Sequence, residues 1–129
     1  MSDRPRLRVA ATVLDAPDPR ALAGFYRALL GWEVVADWAE WVELRPPGGG
    51  AGLSFQAEPL FVAPVWPARG GAQQMMAHLD VEVADLAAAG AFAEGLGAVV
   101  AGFQPQAHVR VYLDPVGHPF CLFLPDGAG

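Results

Sequence analysis

The chain has 129 residues, 53% of them hydrophobic, and a formal charge of −6. That suffices for one compact domain, or two small modules sharing a core, and it excludes the basic stripe that nucleic-acid phosphates require. No run approaches the ~20 apolar residues of a membrane helix. Cys121 is the single cysteine, so an intrachain disulfide is excluded and a reducing, cytoplasmic setting is expected.

Residues 1–6 read as a loose polar start, with charges too close to the following apolar run for a secretory leader. Residues 7–14, β-branched and apolar, read as a strand. Asp18-Pro19 is a helix start: the carboxylate accepts from the first free backbone N–H groups, and Pro needs no partner at the first helical position. Leu22, Phe25, Tyr26, Leu29 and Leu30 then follow at helical spacing, and Gly31 ends the stripe. Residues 32–36, 38–44 and 52–56 read as strands, and Gly48-Gly49-Gly50 as part of a turn. Residues 58–74 break the pattern with Pro59, Pro64 and Pro67 but keep Leu60, Phe61, Val62, Val65 and Trp66. Such a linker is expected to pack on the core, cover a cavity or touch a partner chain.

A strand from residue 75 or 76 to 83 begins the second half. Asp85 caps a helix expected to turn Leu86, Ala89, Phe92, Ala93 and Leu96 inward, and 98–103, 108–113 and 119–124 read as strands. Most of AHLDVEVADLAAAGAFAEGLG (77–97) restates TVLDAPDPRALAGFYRALLG (12–31): Asp85 falls on Asp18, Phe92 on Phe25, Leu96 on Leu29 and His78 on Ala11. Two copies at this spacing indicate a duplicated module. The expected fold is α+β, two tandem βαβββ modules forming a cupped mixed sheet: module one over about 7–57, linker 58–74, module two 75–125.

Three stretches, FYRALLGWEVV, HLDVEVADL and DPVGHPFCLF, resemble the vicinal oxygen chelate superfamily, the fold of glyoxalases, bleomycin-resistance proteins and extradiol dioxygenases. The resemblance implies a small-molecule cup, with a divalent metal held in the enzymes by the first and last strand of each module. Carried over residue by residue, those positions are Ala11, Gln56 (or Ser54 on the same face), His78 and Cys121. Ala11 supplies no donor, so Gln56, His78 and Cys121 form a reduced set where catalytic zinc uses three protein ligands and an open position. His78, Asp80 and Glu82 share one strand face. There Asp80 is expected to orient the His78 ring or to pair with Arg110, while sharing an ion with His78 is the sharper alternative. His108 and His118 read as loop and turn histidines.

The resulting expectation is a protein that binds a small apolar or aromatic molecule, with Trp38, Trp41, Gln56, Trp66, His78, Asp80, Arg110 and Cys121 as candidate contacts. No cofactor is favoured. The alternative is a metal-dependent lyase, isomerase or dioxygenase built around His78, the best candidate for a catalytic group. An interaction module with a vestigial pocket is the third reading. The resemblance also implies a homodimer; no nucleic-acid or membrane partner is expected.

Overall fold

The computed structural model describes residues 3–125, so residues 1–2 of the expected polar start lie outside it. Within it the chain forms β1 (Ala11–Ala16), α1 (Pro19–Leu30), β2 (Glu33–Trp38), β3 (Trp41–Arg45) and β4 (Gly52–Ala57). The second half repeats the plan with β5 (Leu79–Glu82), α2 (Leu86–Gly95), β6 (Val99–Val100), β7 (Val109–Leu113) and β8 (Pro119–Phe123). The strand orders are β1-β4-β3-β2 and β5-β8-β7-β6, so the fold is α+β with two like modules. Each sheet joins its first and last strands in parallel and is otherwise antiparallel. No helix of the described residues is long and apolar enough to cross a membrane.

α1 forms where its caps and stripe require. Asp18 accepts from the N–H groups of Arg20 and Ala21, Pro19 opens the first turn, and Gly31 closes the last at φ 71°. The stripe Leu22, Phe25 and Tyr26 is buried against Leu53 and Phe55 of β4. The same aromatic face reaches the other module: Phe25 and Tyr26 lie 5.9 and 6.1 Å from Phe120 of β8, centroid to centroid. Phe120 in turn stacks on Tyr112. One apolar core therefore spans both halves.

A buried carboxylate ties the same junction. Asp114, in the β7–β8 turn, accepts the Tyr26 hydroxyl at 2.7 Å on one oxygen. Its other oxygen accepts the N–H groups of Val116, Gly117 and His118 at 3.0 Å each. Burial first, then the charge of Asp114 and this hydrogen bond, push the Tyr26 phenol far above its ordinary range.

Four expectations need correction. The first strand begins at Ala11, not residue 7, because its partner β4 begins at Gly52, which pairs with Ala11. Leu7 and Val9 consequently stand 79% and 74% exposed. Trp38 ends β2 instead of opening β3, paired with Trp41 across a two-residue turn. The strand expected at 75–83 is only Leu79–Glu82. The one expected at 98–103 is only Val99–Val100, because the Gln104 amide takes over the ladder there. Its nitrogen donates to the carbonyls of Ala101 and Val111, and its oxygen accepts the Val111 N–H.

α2 also packs differently from its sequence pattern. Ala93 is fully buried, and Leu86, Ala89 and Leu96 are half-buried against the core, but Phe92 is 54% exposed. The helix turns small residues to the sheet: Gly90 is buried, and a Cβ there would collide with the Tyr112 hydroxyl. That close approach leaves Phe92 on the outer side.

Candidate functional site

Strand alternation divides each sheet into a core face and a face turned away from the helix. In the second module Leu79, Val81, Phe120 and Leu122 enter the core. Asp80 and Cys121 are register partners on the parallel strands β5 and β8, on the opposite face. His78, two residues before Asp80, shares that face and leans over to bring its Nε2 3.0 Å from the Asp80 Oδ1. The ligand-capable atoms of His78, Asp80 and Cys121 all lie within 4.8 Å of one another.

Cys121 belongs to a small apolar floor with Ala101 and Val111, and Trp66, Val109 and Leu113 pack against it. Cys121 is buried, whereas His78 and Asp80 are open to solvent. Burial first, then the Asp80 charge and a hydrogen bond to that carboxylate, hold the Cys121 thiol above its ordinary range and keep it protonated at neutral pH. A cleft of about 370 Å³ opens over the cluster, walled by Gln106, His108, Val109, Phe123 and Leu124.

The first module's corresponding face is arranged otherwise. The Trp41 indole N–H donates to Glu43 at 2.6 Å, and the Gln56 amide donates to Asp15 at 2.7 Å. Ser54 is buried, and Ala11 has no ligating atom. Leu79 pairs with Phe120 as Thr12 pairs with Leu53, so the displacement that aligns His78 with Ala11 aligns Cys121 with Ser54. Gln56 lies two residues beyond that position.

The sequence-derived candidates thus fall into four groups. His78, Asp80 and Cys121 come together. Trp66 lies beside their apolar floor, its indole donating to the Phe103 carbonyl at 3.0 Å. Trp38, Trp41 and Gln56 stay with the first module, Trp38 exposed at the tip of its hairpin. Arg110 alternates with Val109 and Val111, so it shares the face of Tyr112 and not that of Asp80.

Gln106 escaped the sequence reading, and His108, read there as a loop histidine, lines the cleft. They reach the cleft through the loop that Gln104 anchors, and no local pattern announces a side chain standing in for a strand. His118 is engaged elsewhere: its Nε2 lies 2.7 Å from the Asp15 carbonyl, and its ring packs 5.2 Å from Phe61. These residues border a second, larger cleft of about 480 Å³ that the linker covers. The cluster of His78, Asp80 and Cys121 lies at the smaller one.

The profile of the glyoxalase-like domain family matches residues 11–123. No curated protein matches the chain. Among solved structures, a glyoxalase/bleomycin resistance protein/dioxygenase family enzyme from Burkholderia phytofirmans PsJN superposes with a TM-score of 0.69 at 14% identity, over 92% of this chain and 98% of that one. An antibiotic binding protein from Streptomyces sp. CB03234 superposes at 0.63 and 20% identity, over 94% and 98%. A lactoylglutathione lyase from Agrobacterium tumefaciens does so at 0.63 and 18% identity, over 98% and 99%. At these identities the structural likeness concerns the fold.

Proposed function

The chain belongs to the glyoxalase-like domain family, and from that premise we propose that it binds a small organic molecule in the cleft above β5 and β8. One observation carries the reading: the cleft sets hydrogen-bonding groups (His78, Asp80, Gln106 and His108) against apolar walls from Val109, Phe123 and Leu124. Ligand pockets combine these two kinds of surface, apolar area for affinity and a few polar groups for orientation. The ligand class that suits it joins polar groups, for His78, Asp80, Gln106 and His108, to an apolar part for Val109, Phe123 and Leu124. The likeness to an antibiotic binding protein supports small-molecule binding as a mode open to this fold.

The cross-module metal site implied by the family does not fit this chain. Ala11 has no donor, and Gln56 turns its amide to Asp15. The donors gathered within the second module do fit: an imidazole nitrogen, a carboxylate oxygen and a thiol sulfur. That convergence favours a second reading, a metal-dependent lyase, isomerase or dioxygenase. A bound ion would supply Lewis acidity toward substrate oxygens. In this reading His78, Asp80 and Cys121 would hold the ion, and the apolar floor excludes water beneath them.

A homodimer and a cytoplasmic setting belong to the same proposal. The exposed Leu60, Val62 and Met76 support a contact between copies, and the lone Cys121 supports a reducing compartment. Sedimentation at micromolar concentration tests the first, and a clean monomer overturns it.

A thermal-shift screen of aromatic compounds that carry polar groups, repeated with His78→Ala and His108→Ala, tests the binding reading. A ligand at about 100 times its Kd stabilises by ~2.7 kcal/mol, and both variants are expected to weaken it. If every hit survives both substitutions, the cleft is not the site. Turnover of a hit, followed by chromatography, decides for the enzymatic reading.

A further inference from the structure

We infer that the second module alone binds one zinc-class transition-metal ion through the imidazole of His78, a carboxylate oxygen of Asp80 and the sulfur of Cys121. The inference rests on the donor set of the metal-dependent reading above and deepens it by naming the ion class; it does not rest on the organic-ligand proposal. It departs from the ligand pattern the resemblance implies, which spans both modules and gives Asp80 no part.

The geometry comes from two pairings of different kind. Asp80 and Cys121 are fixed side by side by the parallel β5–β8 register, and His78 joins from two residues upstream on the same strand face. Residues two apart on a strand have Cα atoms ~6.8 Å apart, which side-chain length bridges here. Bonds of about 2.0–2.3 Å to a tetrahedral zinc bring its ligand atoms within roughly 3.3–3.8 Å of one another. His78 and Asp80 already stand at 3.0 Å, and all three atoms fall within 4.8 Å. Rotation of exposed side chains by about an ångström closes the set.

Donor chemistry selects the metal. One thiolate, one imidazole and one carboxylate suit zinc or cobalt, not magnesium or calcium, whose shells are built of oxygen. No Arg or Lys ion pair competes for Asp80 among the described residues, and its partners there are His78 and Cys121. The whole chain contains no lysine, and Arg110, the arginine of the adjoining β7, lies on the other face. With three protein ligands the fourth position opens toward the cleft of Gln106 and His108. Binding exchanges a proton for the ion: the Cys121 S–H bond breaks, the proton passes to buffer, and the sulfur–metal bond forms without change of oxidation state.

The test uses the full chain, stripped of metal under reducing conditions and titrated with cobalt(II), then challenged with zinc(II). One equivalent of cobalt is expected to bring in a sulfur-to-cobalt charge-transfer band in the near ultraviolet and the intense visible bands of a tetrahedral ion, both displaced by zinc. Cys121→Ser should abolish the charge-transfer band. His78→Ala and Asp80→Asn should each weaken binding at least ~10-fold, since losing a direct ligand costs no less than the loss of a supporting contact. Gln56→Ala should change nothing. Circular dichroism establishes that each variant is folded, and Asp80→Asn, exposed and isosteric, remains informative if Cys121→Ser is not. Absence of the charge-transfer band in the unaltered protein overturns the inference. So does a loss on Gln56→Ala matching that on Asp80→Asn, which would mark a site across both modules. Failure of the organic-ligand screen leaves these signals unmoved, so the two proposals fail separately.

Discussion

The two modules share strand order, parallel pairing and Asp-capped helices, yet their helix-free sheet faces carry unlike chemistry. In the first, Trp41–Glu43 and Asp15–Gln56 form pairs that leave little to offer a ligand. In the second, His78, Asp80 and Cys121 converge under an open cleft. The core faces, by contrast, remain joined, with Phe25 and Tyr26 of one module against Phe120 and Tyr112 of the other. Duplication fixes what must pack and frees what faces the ligand. Core side chains answer to neighbours on every side, while the outer face answers only to whatever binds there.

The shared core can be broken most severely at Phe120, which is fully buried at the junction. Phe120→Ala should cost about 3–5 kcal/mol. Denaturant unfolding should still show a single transition by both fluorescence and circular dichroism. If the probes separated, the halves would be independent units. Asp114→Ala removes the acceptor of Tyr26 and of three backbone N–H groups. A loss of about 2–3 kcal/mol is expected from these unsatisfied donors, and a change below half of that would show that water replaces the carboxylate.

The helices differ at their glycines. Gly90→Ala drives a methyl into the Tyr112 hydroxyl and should destabilise by about 1–3 kcal/mol. Gly24→Ala meets open space on α1 and should stabilise by ~0.5–1 kcal/mol. Thermal unfolding of the two variants side by side reads the opposite signs, and equal signs would contradict the packing described for α2.

The smallest effect concerns Cys121. Its thiol is raised in the fold by burial and by Asp80. That group's stabilising contribution is present below the unfolded thiol pKa and is lost as pH rises through the folded one. Alkylation by iodoacetamide should therefore be slow at neutral pH and climb only above the usual thiol range. Asp80→Asn should shift the onset downward. An unchanged profile would show that the carboxylate does not act on the sulfur.

Much of this fold could be read locally. Asp18-Pro19 and Gly31 bound α1 through capping chemistry carried within the helix and its flanks, and the apolar stripe set its buried face. What could not be read locally depends on partners far along the chain. Residues 7–10 have the composition of a strand but no β4 residues to pair with. Phe92 repeats the position of Phe25, yet Gly90 brings α2 too close to Tyr112 for the same packing. The site divides in the same way. Alternation set His78 beside Asp80, whereas the adjacency of Cys121 rests on the register of two strands joined by a helix and two further strands. Gln106 and His108 depend on the Gln104 amide, which composition does not reveal.

The hydrogen bond from Tyr26 to Asp114 bridges 88 residues, and this separation has a consequence for synthesis. At translation rates of about 5–20 residues per second, roughly 4–18 s pass between the two residues entering the chain. Throughout that interval α1 has been made, while Phe120 and Asp114, which complete its surroundings, have not. The nascent first half thus presents Phe25 and Tyr26 to solvent as an unfinished aromatic surface. Ribosome-bound chains halted before β8 should be the species that chaperones and proteases capture.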